Sequence, residues 1–413
     1  MVFNLFINNS ASINSKQLLL LVFLCLLLVD FFVTQAGVNT LLLLGFSLLA
    51  ILFLLSSNDW FLLFLSIELL GLTSYCLVAS SRTAKALEAS IKYFAVGALS
   101  ASFLLFGILL TYFSAETTAF FSDNIVDGPA LRALTLFILS SFLLKLGAAP
   151  FHYWVADVYE GSPAIVTVFL SVVVKLTMFL VLVSLLTSPL LYTLHIYRPL
   201  FIIASILSIV IGCFGALFQK KIKRLLAYSS INNVGYVLAG LSIGNLSGLQ
   251  AATTYLVFYC FSLLLLFTLI LNCKKESGHS ITYIVELKNL RVGGMFTPLL
   301  CTLALFSFAG IPPLTGFWIK FFILNELVAS KLYVLAAFAA FASVLSSFYY
   351  VSLIKILYFE EESLDVSVSN SMGSLQTIFV CILSFTLIIY IVVPGFVDYY
   401  FYSLALSFFS PFL

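Results

Sequence analysis

The sequence predicts an all-α polytopic membrane protein of about twelve transmembrane helices, in two inverted five-helix repeats with two broken helices. Three observations predict it. Charged residues make up 9% of the 413 and hydrophobic ones 62%, too little charge to cover a water-facing surface, which in globular domains takes roughly 25%. The apolar runs are continuous rather than alternating, which excludes a membrane β-barrel and fits helices that satisfy their own backbone in lipid. Two runs are too long for one simple helix, and each carries proline near its middle.

A spanning helix needs about 20 apolar residues. Reading along the chain, spans fall near 17–33, 38–57, 60–79, 90–113, 131–159, 162–186, 199–218, 226–243, 249–271, 297–325, 332–357 and 375–397. Residues 18–29 resemble a signal-peptide core, but no convincing small-residue cleavage site follows, so the first helix is expected to be retained. The resulting division is an N-terminal helix (1–37), a first repeat (38–186), an inverted second repeat (187–357), and an acidic loop with a C-terminal helix (358–413).

Orientation follows from Lys and Arg. Loops on the side opposite the N-terminus, side B, carry eleven: Arg82, Lys85, Lys92, Lys220, Lys221, Lys223, Arg224, Lys274, Lys275, Lys288 and Arg291. The N-terminal side, side A, has four: Lys16, Arg132, Arg198 and Lys331. Side B is therefore expected to be cytoplasmic or matrix, with the N-terminus facing outward. The acidic run Glu360-Glu361-Glu362 with Asp365 also falls on side B, where acids count little.

Within the spans, Glu68, Lys145 and Lys175 lie near helix centres, while Lys320 and Lys355 lie toward helix ends. Each mid-membrane charge costs roughly 2.5–3.5 kcal/mol. Glu68, Lys145, Lys175 and Lys320 together would cost about 10–14 kcal/mol, comparable with the roughly 5–15 kcal/mol net stability of a folded protein. Lys355 is expected to snorkel to the surface. Lys320 can also snorkel, although helical side chains lean back toward the N-terminus, here the membrane interior. Glu68 and Lys145 can be a structural ion pair or part of an ion path. Lys175, in Val172-Val173-Val174-Lys175-Leu176, must find its partner on another helix or in water.

The long spans should open at Gly147-Ala148-Ala149-Pro150 and at Gly310-Ile311-Pro312-Pro313-Leu314-Thr315-Gly316. The hinges are thus Gly147, Pro150, Gly310, Pro312, Pro313 and Gly316. Unwound backbone at membrane depth must be buried in protein or line a watery cavity, and a pair of broken helices points to an inverted-repeat transporter. The breaks are five spans apart, so they run in opposite directions. His152, just after the first, is a candidate proton relay and equally a structural histidine. Ser140, Ser141, Ser229, Ser230, Asn232, Asn233, Tyr255 and Tyr259 can hold a water chain or simply glue helices.

Other chemistries have no footing. The seven cysteines are at least thirteen positions apart, leaving no metal- or cluster-binding pair, and no Gly-rich phosphate loop or dinucleotide fingerprint occurs. A net charge of +2 offers no nucleic-acid surface. No cofactor is therefore expected on this chain.

The segments Ser66-Ile67-Glu68-Leu69-Leu70-Gly71-Leu72, Lys145 to Trp154 continuing through Asp157-Val158-Tyr159-Glu160-Gly161-Ser162-Pro163, and Lys223-Arg224-Leu225-Leu226-Ala227-Tyr228-Ser229-Ser230-Ile231-Asn232 carry a specific pattern. With Ala309 to Lys320 and Ser346-Ser347-Phe348-Tyr349-Tyr350, the chain resembles, over nearly its whole length, the antiporter-like membrane subunits of respiratory complex I (NADH–quinone oxidoreductase), most closely the subunit 2 branch. The resemblance implies proton translocation coupled to electron transfer on other subunits, which would hold NADH, flavin, iron–sulfur clusters and ubiquinone. It implies a relay of Glu68, Lys145, Lys175 and Lys320. A lysine at the second break fits subunit 2 better than subunit 4 relatives, which place a glutamate there, and this chain lacks the lateral helix of subunit 5 relatives. Some relatives carry histidine on the helix of Lys175, and this one does not. Bacterial relatives look like fourteen-helix proteins, two helices more than counted here, which keeps the same orientation.

Expected partners are a neighbouring antiporter-like subunit, a small multi-helix subunit and membrane lipids, cardiolipin among them, but not nucleic acid. The expected location is the mitochondrial inner membrane, N-terminus toward the intermembrane space, or the plasma membrane if bacterial. No Arg-rich transit sequence is present, Arg82 being the first arginine. The alternatives are a stand-alone cation/proton antiporter subunit and a structural subunit that no longer pumps.

Overall fold

Local chemistry sets the ends of the helices. In the computed structural model, which describes residues 10–31, 37–120, 129–188, 190, 193–275, 281–360, 368–369 and 373–409, α1 (Ser10–Val29) and α2 (Val38–Ser56) lead into α3 (Trp60–Ala79). Asp59 caps α3 by accepting from the amides of Phe61 and Leu62 at 2.8 and 3.4 Å. Thr83 caps α4 (Ala84–Ala115) by accepting from the Ala86 amide at 3.2 Å. At about 1.5 Å per residue the 32 residues of α4 exceed the roughly 30 Å hydrocarbon core, so its polar first turns extend beyond it. Serine and threonine are tolerated because their hydroxyls fold back onto helix carbonyls, as Ser47 does onto Leu44 at 2.7 Å.

The chain continues as α5 (Pro129–Leu146), α6 (Tyr153–Gly161), α7 (Ala164–Val168), a π-helical turn (Phe169–Val174), α8 (Lys175–Thr187), α9 (Leu194–Leu217), α10 (Ile222–Ile243) and α11 (Leu246–Asn272). A 3-10 segment (Ile284–Gly293), α12 (Phe296–Ala309), α13 (Thr315–Ala329), α14 (Tyr333–Phe359), α15 (Ser374–Thr386), α16 (Ile389–Val392) and α17 (Pro394–Phe409) complete it. Two-residue strands, Lys274–Lys275 and Val368–Ser369, pair antiparallel.

Eight helices among the described residues are long and apolar enough to cross a membrane. The expected twelve spans are nevertheless accounted for. The pairs α5/α6 and α12/α13 are the two broken spans, and α10 is long enough but carries Lys223, Arg224, Ser229, Ser230, Asn232 and Asn233. The twelfth span differs from expectation. Instead of one helix over 375–397, the last turn of α15 tightens, with the Leu387 and Ile388 amides bonding the Ser384 and Phe385 carbonyls. Pro394 then begins α17, because proline can open a helix but not continue one. The first helix also starts earlier than expected, taking in Ser10 to Lys16.

Burial sorts the helices into an enclosed core and a lipid-facing rim. The segment from α7 through α8 is 100% buried over its apolar window and α11 94%, whereas α2 reaches 28% and α4 33%. Leucine and phenylalanine on α2, α4 and α14, such as Phe53, Phe106 and Phe341, face outward. A helix apolar all round but wholly enclosed belongs at the centre of a bundle.

The side assignment is internally consistent. Lys92, Lys221 and Arg224, all placed on side B by the helix count, meet Glu88, Asp157 and Glu160 in one cluster. Lys92 lies 2.7 Å from Glu88 and 2.8 Å from Asp157, Arg224 lies 3.4 Å from Glu160, and Lys221 pairs with Glu160. On side A, Asp59 accepts from the Thr118 hydroxyl at 2.6 Å. Glu361, Glu362 and Asp365 of the acidic loop lie outside the described residues.

Candidate functional site

Both breaks are built in the same way. At the end of α5, Gly147 sits at φ 70°, its amide bonded to the Leu144 carbonyl (3.2 Å) and the Ala148 amide to the Leu143 carbonyl (3.0 Å). At the end of α12, Gly310 sits at φ 78°, its amide bonded to the Ser307 carbonyl (3.2 Å) and the Ile311 amide to the Phe306 carbonyl (3.2 Å). Each is a Schellman turn, which needs glycine for the left-handed residue. Each continues into a cis proline bond, Ala149-Pro150 and Pro312-Pro313. Of the residues expected as hinges, Gly147, Pro150, Gly310, Pro312 and Pro313 lie at the two interruptions between helices. Gly316 serves differently: a β-carbon there would stand 1.7 Å from the Ser307 carbonyl, so it lets α13 press against α12.

The groups freed by each break find separate partners. At the first, the Ser208 hydroxyl accepts from the Ala149 amide at 2.8 Å, and the Trp154 indole donates to the Leu144 carbonyl at 3.0 Å. At the second, the ammonium of Lys320 donates to the Phe308 and Ala309 carbonyls at 2.8 and 3.1 Å. Lys320 is buried, so it turns inward and does not snorkel. The negative end of the α12 dipole suits a cation there.

Glu68 and Lys145 come together, Nζ to Oε1 3.6 Å, with side chains 27% and 10% exposed. A small cavity adjoins Lys145, lined by Tyr75, Tyr93, Ser100 and Trp154 among others, with about 20 Å³ open to water, above the roughly 10–15 Å³ that one water needs. Lys175 is buried, and its ammonium makes no hydrogen bond; it lies 5.7 Å from the centre of the Tyr159 ring. The π-helical turn directly before it departs from the one regular helix expected over 162–186. Lys355 is exposed near the end of α14, as expected of a snorkelling residue.

Between Lys175 and Lys320 runs a buried polar zone on α6, α10, α11 and α14. The Tyr255 hydroxyl donates to the Asn233 Oδ1 at 2.7 Å, the Tyr236 ring stacks on Tyr255 at 5.5 Å, and Lys320 lies 5.8 Å from the Tyr236 ring. Here Asn232 Oδ1 and Asn233 Nδ2 are buried without a hydrogen-bond partner, and Tyr159, Tyr259 and Tyr349 hold buried hydroxyls that make no well-formed hydrogen bond although Ser230, Asn233 and Tyr350 stand beside them. Buried polar atoms are nearly always satisfied, so a group of unsatisfied ones in one region marks a place for water. Of the residues expected to hold a water chain, Asn232, Asn233, Tyr255 and Tyr259 lie here. Ser229 and Ser230 flank them with hydroxyls on the Leu226 and Ala227 carbonyls, and Ser140 and Ser141 bond to Phe137 and Ile138 in α5. Tyr159 and Tyr236 are not among the residues expected to hold water; Tyr159 lies in a segment that carries the family resemblance, and the only signal of Tyr236 is a phenol inside an apolar helix.

His152 is buried beside the Pro150 carbonyl and stacks on Tyr153 at 4.5 Å; its Nδ1 has no partner. No hydrogen bond among the described residues joins it to Glu68 or to a buried lysine. No group of three or more metal-ligating side chains occurs among the described residues.

Residues 57–346, which contain both breaks, the glutamate and the three buried lysines, match the family described as NADH:quinone oxidoreductase/Mrp antiporter, TM. The chain belongs to this family. Among curated members, NADH-quinone oxidoreductase subunit N of Paramagnetospirillum magneticum is 36% identical over 357 residues, covering 83% of this chain and 73% of that protein. Subunit N of Sphingopyxis alaskensis is 36% identical over 362 residues, covering 86% and 75%. Among solved structures, a chain of respiratory complex I from Thermus thermophilus superposes with a TM-score of 0.80 at 28% identity, covering 95% of this chain and 86% of that one. A chain of the Mrp complex from Dietzia superposes at 0.86 with 18% identity, covering 97% and 84%, a likeness of fold alone.

Proposed function

We propose that this chain is the proton-translocating antiporter-like subunit of a complex I membrane arm, and that Glu68, Lys145, Lys175 and Lys320 are its proton stations. The observation that carries the reading is that three buried lysines of one bundle hold three different kinds of partner. Lys145 faces a carboxylate, Lys175 the Tyr159 ring and the Cys260 thiol with no hydrogen bond among the described residues, and Lys320 two backbone carbonyls. Burial weakens a lysine's hold on its proton, and a carboxylate or oriented dipole strengthens it. Unlike partners therefore make unlike affinities, which a passing proton or a moving glutamate charge can reorder. One pK unit corresponds to about 1.4 kcal/mol. The unsatisfied tyrosine and asparagine atoms between Lys175 and Lys320 support a hydrated connection. His152 is the weaker candidate, since its neighbours do not lead toward the lysines.

The same reading takes residues 38–186 and 187–357 as inverted repeats, supported by the shared turn geometry of the two breaks. It assigns NADH, flavin, iron–sulfur clusters and ubiquinone to other subunits. It places a further antiporter-like subunit and a small multi-helix subunit alongside, with cardiolipin among the surrounding lipids. The membrane is the mitochondrial inner membrane or a bacterial plasma membrane, with the N-terminus outward. Replacing Glu68 by Gln should lower protons pumped per NADH in reconstituted vesicles while the complex still assembles; unchanged stoichiometry would refute the role.

A second reading, a stand-alone cation/proton antiporter subunit, is supported by the family description, which spans NADH:quinone oxidoreductase and Mrp antiporter chains alike. Co-purification with flavin and iron–sulfur subunits supports the first reading, and Na+/H+ exchange without them the second.

A further inference from the structure

The second break has an anchor outside the repeat that contains it. Five residues before Lys320, the Thr315 amide opens α13 and has no carbonyl of its own helix to bond. It donates instead to the carbonyl of Leu387 at 3.1 Å, in the tightened turn that splits the C-terminal span. Leu387 is fully buried. Three residues on, the Tyr390 ring stacks on Trp318 of α13 (centroids 6.1 Å apart, planes at 27°), and its hydroxyl donates to Asp398 Oδ1 at 2.8 Å. The backbone carbonyl of Asp398 accepts from the Gln250 side chain of α11 at 3.2 Å, and Phe258 of α11 meets the Tyr390 ring edge-on at 6.3 Å. A continuous set of contacts thus runs from α11 through Asp398 and Tyr390 to Trp318, two residues before Lys320.

We infer that the C-terminal turn is a latch that fixes α13 on the bundle, with Tyr390 and Asp398 as positioning residues for Lys320. α13 is held on two sides. Lys320 ties it inward to the open end of α12, and Leu387 and Tyr390 tie it to α11 and α17. When Lys320 releases the Phe308 and Ala309 carbonyls, the inner tie is lost and the outer tie keeps α13 in place. The ammonium can then return to the same two oxygens. The effect on Lys320 as a proton station rests on the function proposed above; the mechanical role does not. A charged acceptor strengthens the Tyr390 hydrogen bond beyond a neutral one.

The test uses the whole complex with two readouts, hydrogen exchange of the peptide containing Thr315 and protons pumped per NADH. Tyr390→Phe keeps the ring stack but removes the hydroxyl, and should speed exchange of that peptide roughly tenfold or more, the local opening expected from one lost charge-assisted hydrogen bond. Its pumping stoichiometry should fall. Asp398→Asn, whose amide oxygen still accepts from Tyr390, should leave both readouts near native, whereas Asp398→Ala should match Tyr390→Phe. If Asp398→Ala fails to assemble, the Phe and Asn variants decide. Native exchange in Tyr390→Phe overturns the latch. Faster exchange with native pumping overturns its link to Lys320, and a parallel Lys320→Met complex that pumps normally then assigns that failure to the relay reading.

Discussion

The two breaks share a turn and differ in where they keep their charge. At the first, the lysine precedes the turn, on the last turn of α5, and meets a carboxylate from α3. At the second, it follows the turn, on the first turns of α13, and meets the carbonyls that α12 has left open. The first break satisfies its backbone with other groups, Ser208 and Trp154, leaving Lys145 free for Glu68. The second uses its lysine as the cap. One cation is therefore held by a titratable partner and the other by a fixed one. A titratable partner can change charge as a proton passes, while carbonyls offer a constant dipole.

This contrast can be broken experimentally, most severely at Gly316. A methyl there meets the Ser307 carbonyl, a backbone atom, so Gly316→Ala should cost roughly 4 kcal/mol or more and prevent stable assembly, seen as loss of the complex on native gels. Near-native assembly would mean that α12 and α13 are less tightly pressed together than described. Next in size is Lys145→Met, which strands Glu68 near the membrane centre. The expected loss is about 3 kcal/mol, softened because Glu68 is a quarter exposed, and adding Glu68→Gln should recover most of it in thermal denaturation. No recovery in the double variant would show that the two side chains are not coupled. Smallest is Ser208→Ala, which leaves the buried Ala149 amide without its acceptor and should lower stability by about 1–2 kcal/mol. It should leave pumping unchanged, because Ser208 supports the turn and holds no proton station.

Much of this was legible in the sequence for local reasons. Glycine followed by proline inside an apolar run can only open a helix, so Gly147, Pro150, Gly310, Pro312 and Pro313 announced both breaks. A glutamate and a lysine each stranded at mid-membrane need a partner, and Glu68 and Lys145 supply one another. What escaped the sequence depends on tertiary position. That Lys320 caps α12 requires knowing where the open carbonyls lie; its place toward a span end leaves a surface route open beside the inward one. The π turn before Lys175 has no proline or glycine to mark it, since Phe169 to Val174 reads as any apolar helix. Pro394 does carry a signal, but hydropathy averaged over 375–397 hides it and merges α15, α16 and the start of α17 into one span. Tyr159 and Tyr236 matter through what faces them, which no spacing records.

Lys175 separates stability from function most cleanly, because its ammonium bonds to nothing that its loss would strand. Replacing such a buried charge with an apolar side chain of similar length is neutral or stabilising. The decisive measurement is therefore protons pumped per NADH by vesicles holding the assembled Lys175→Met complex, alongside its melting temperature. The account predicts an unchanged or higher melting temperature with a clear fall in pumping. Native pumping stoichiometry in that complex would contradict it.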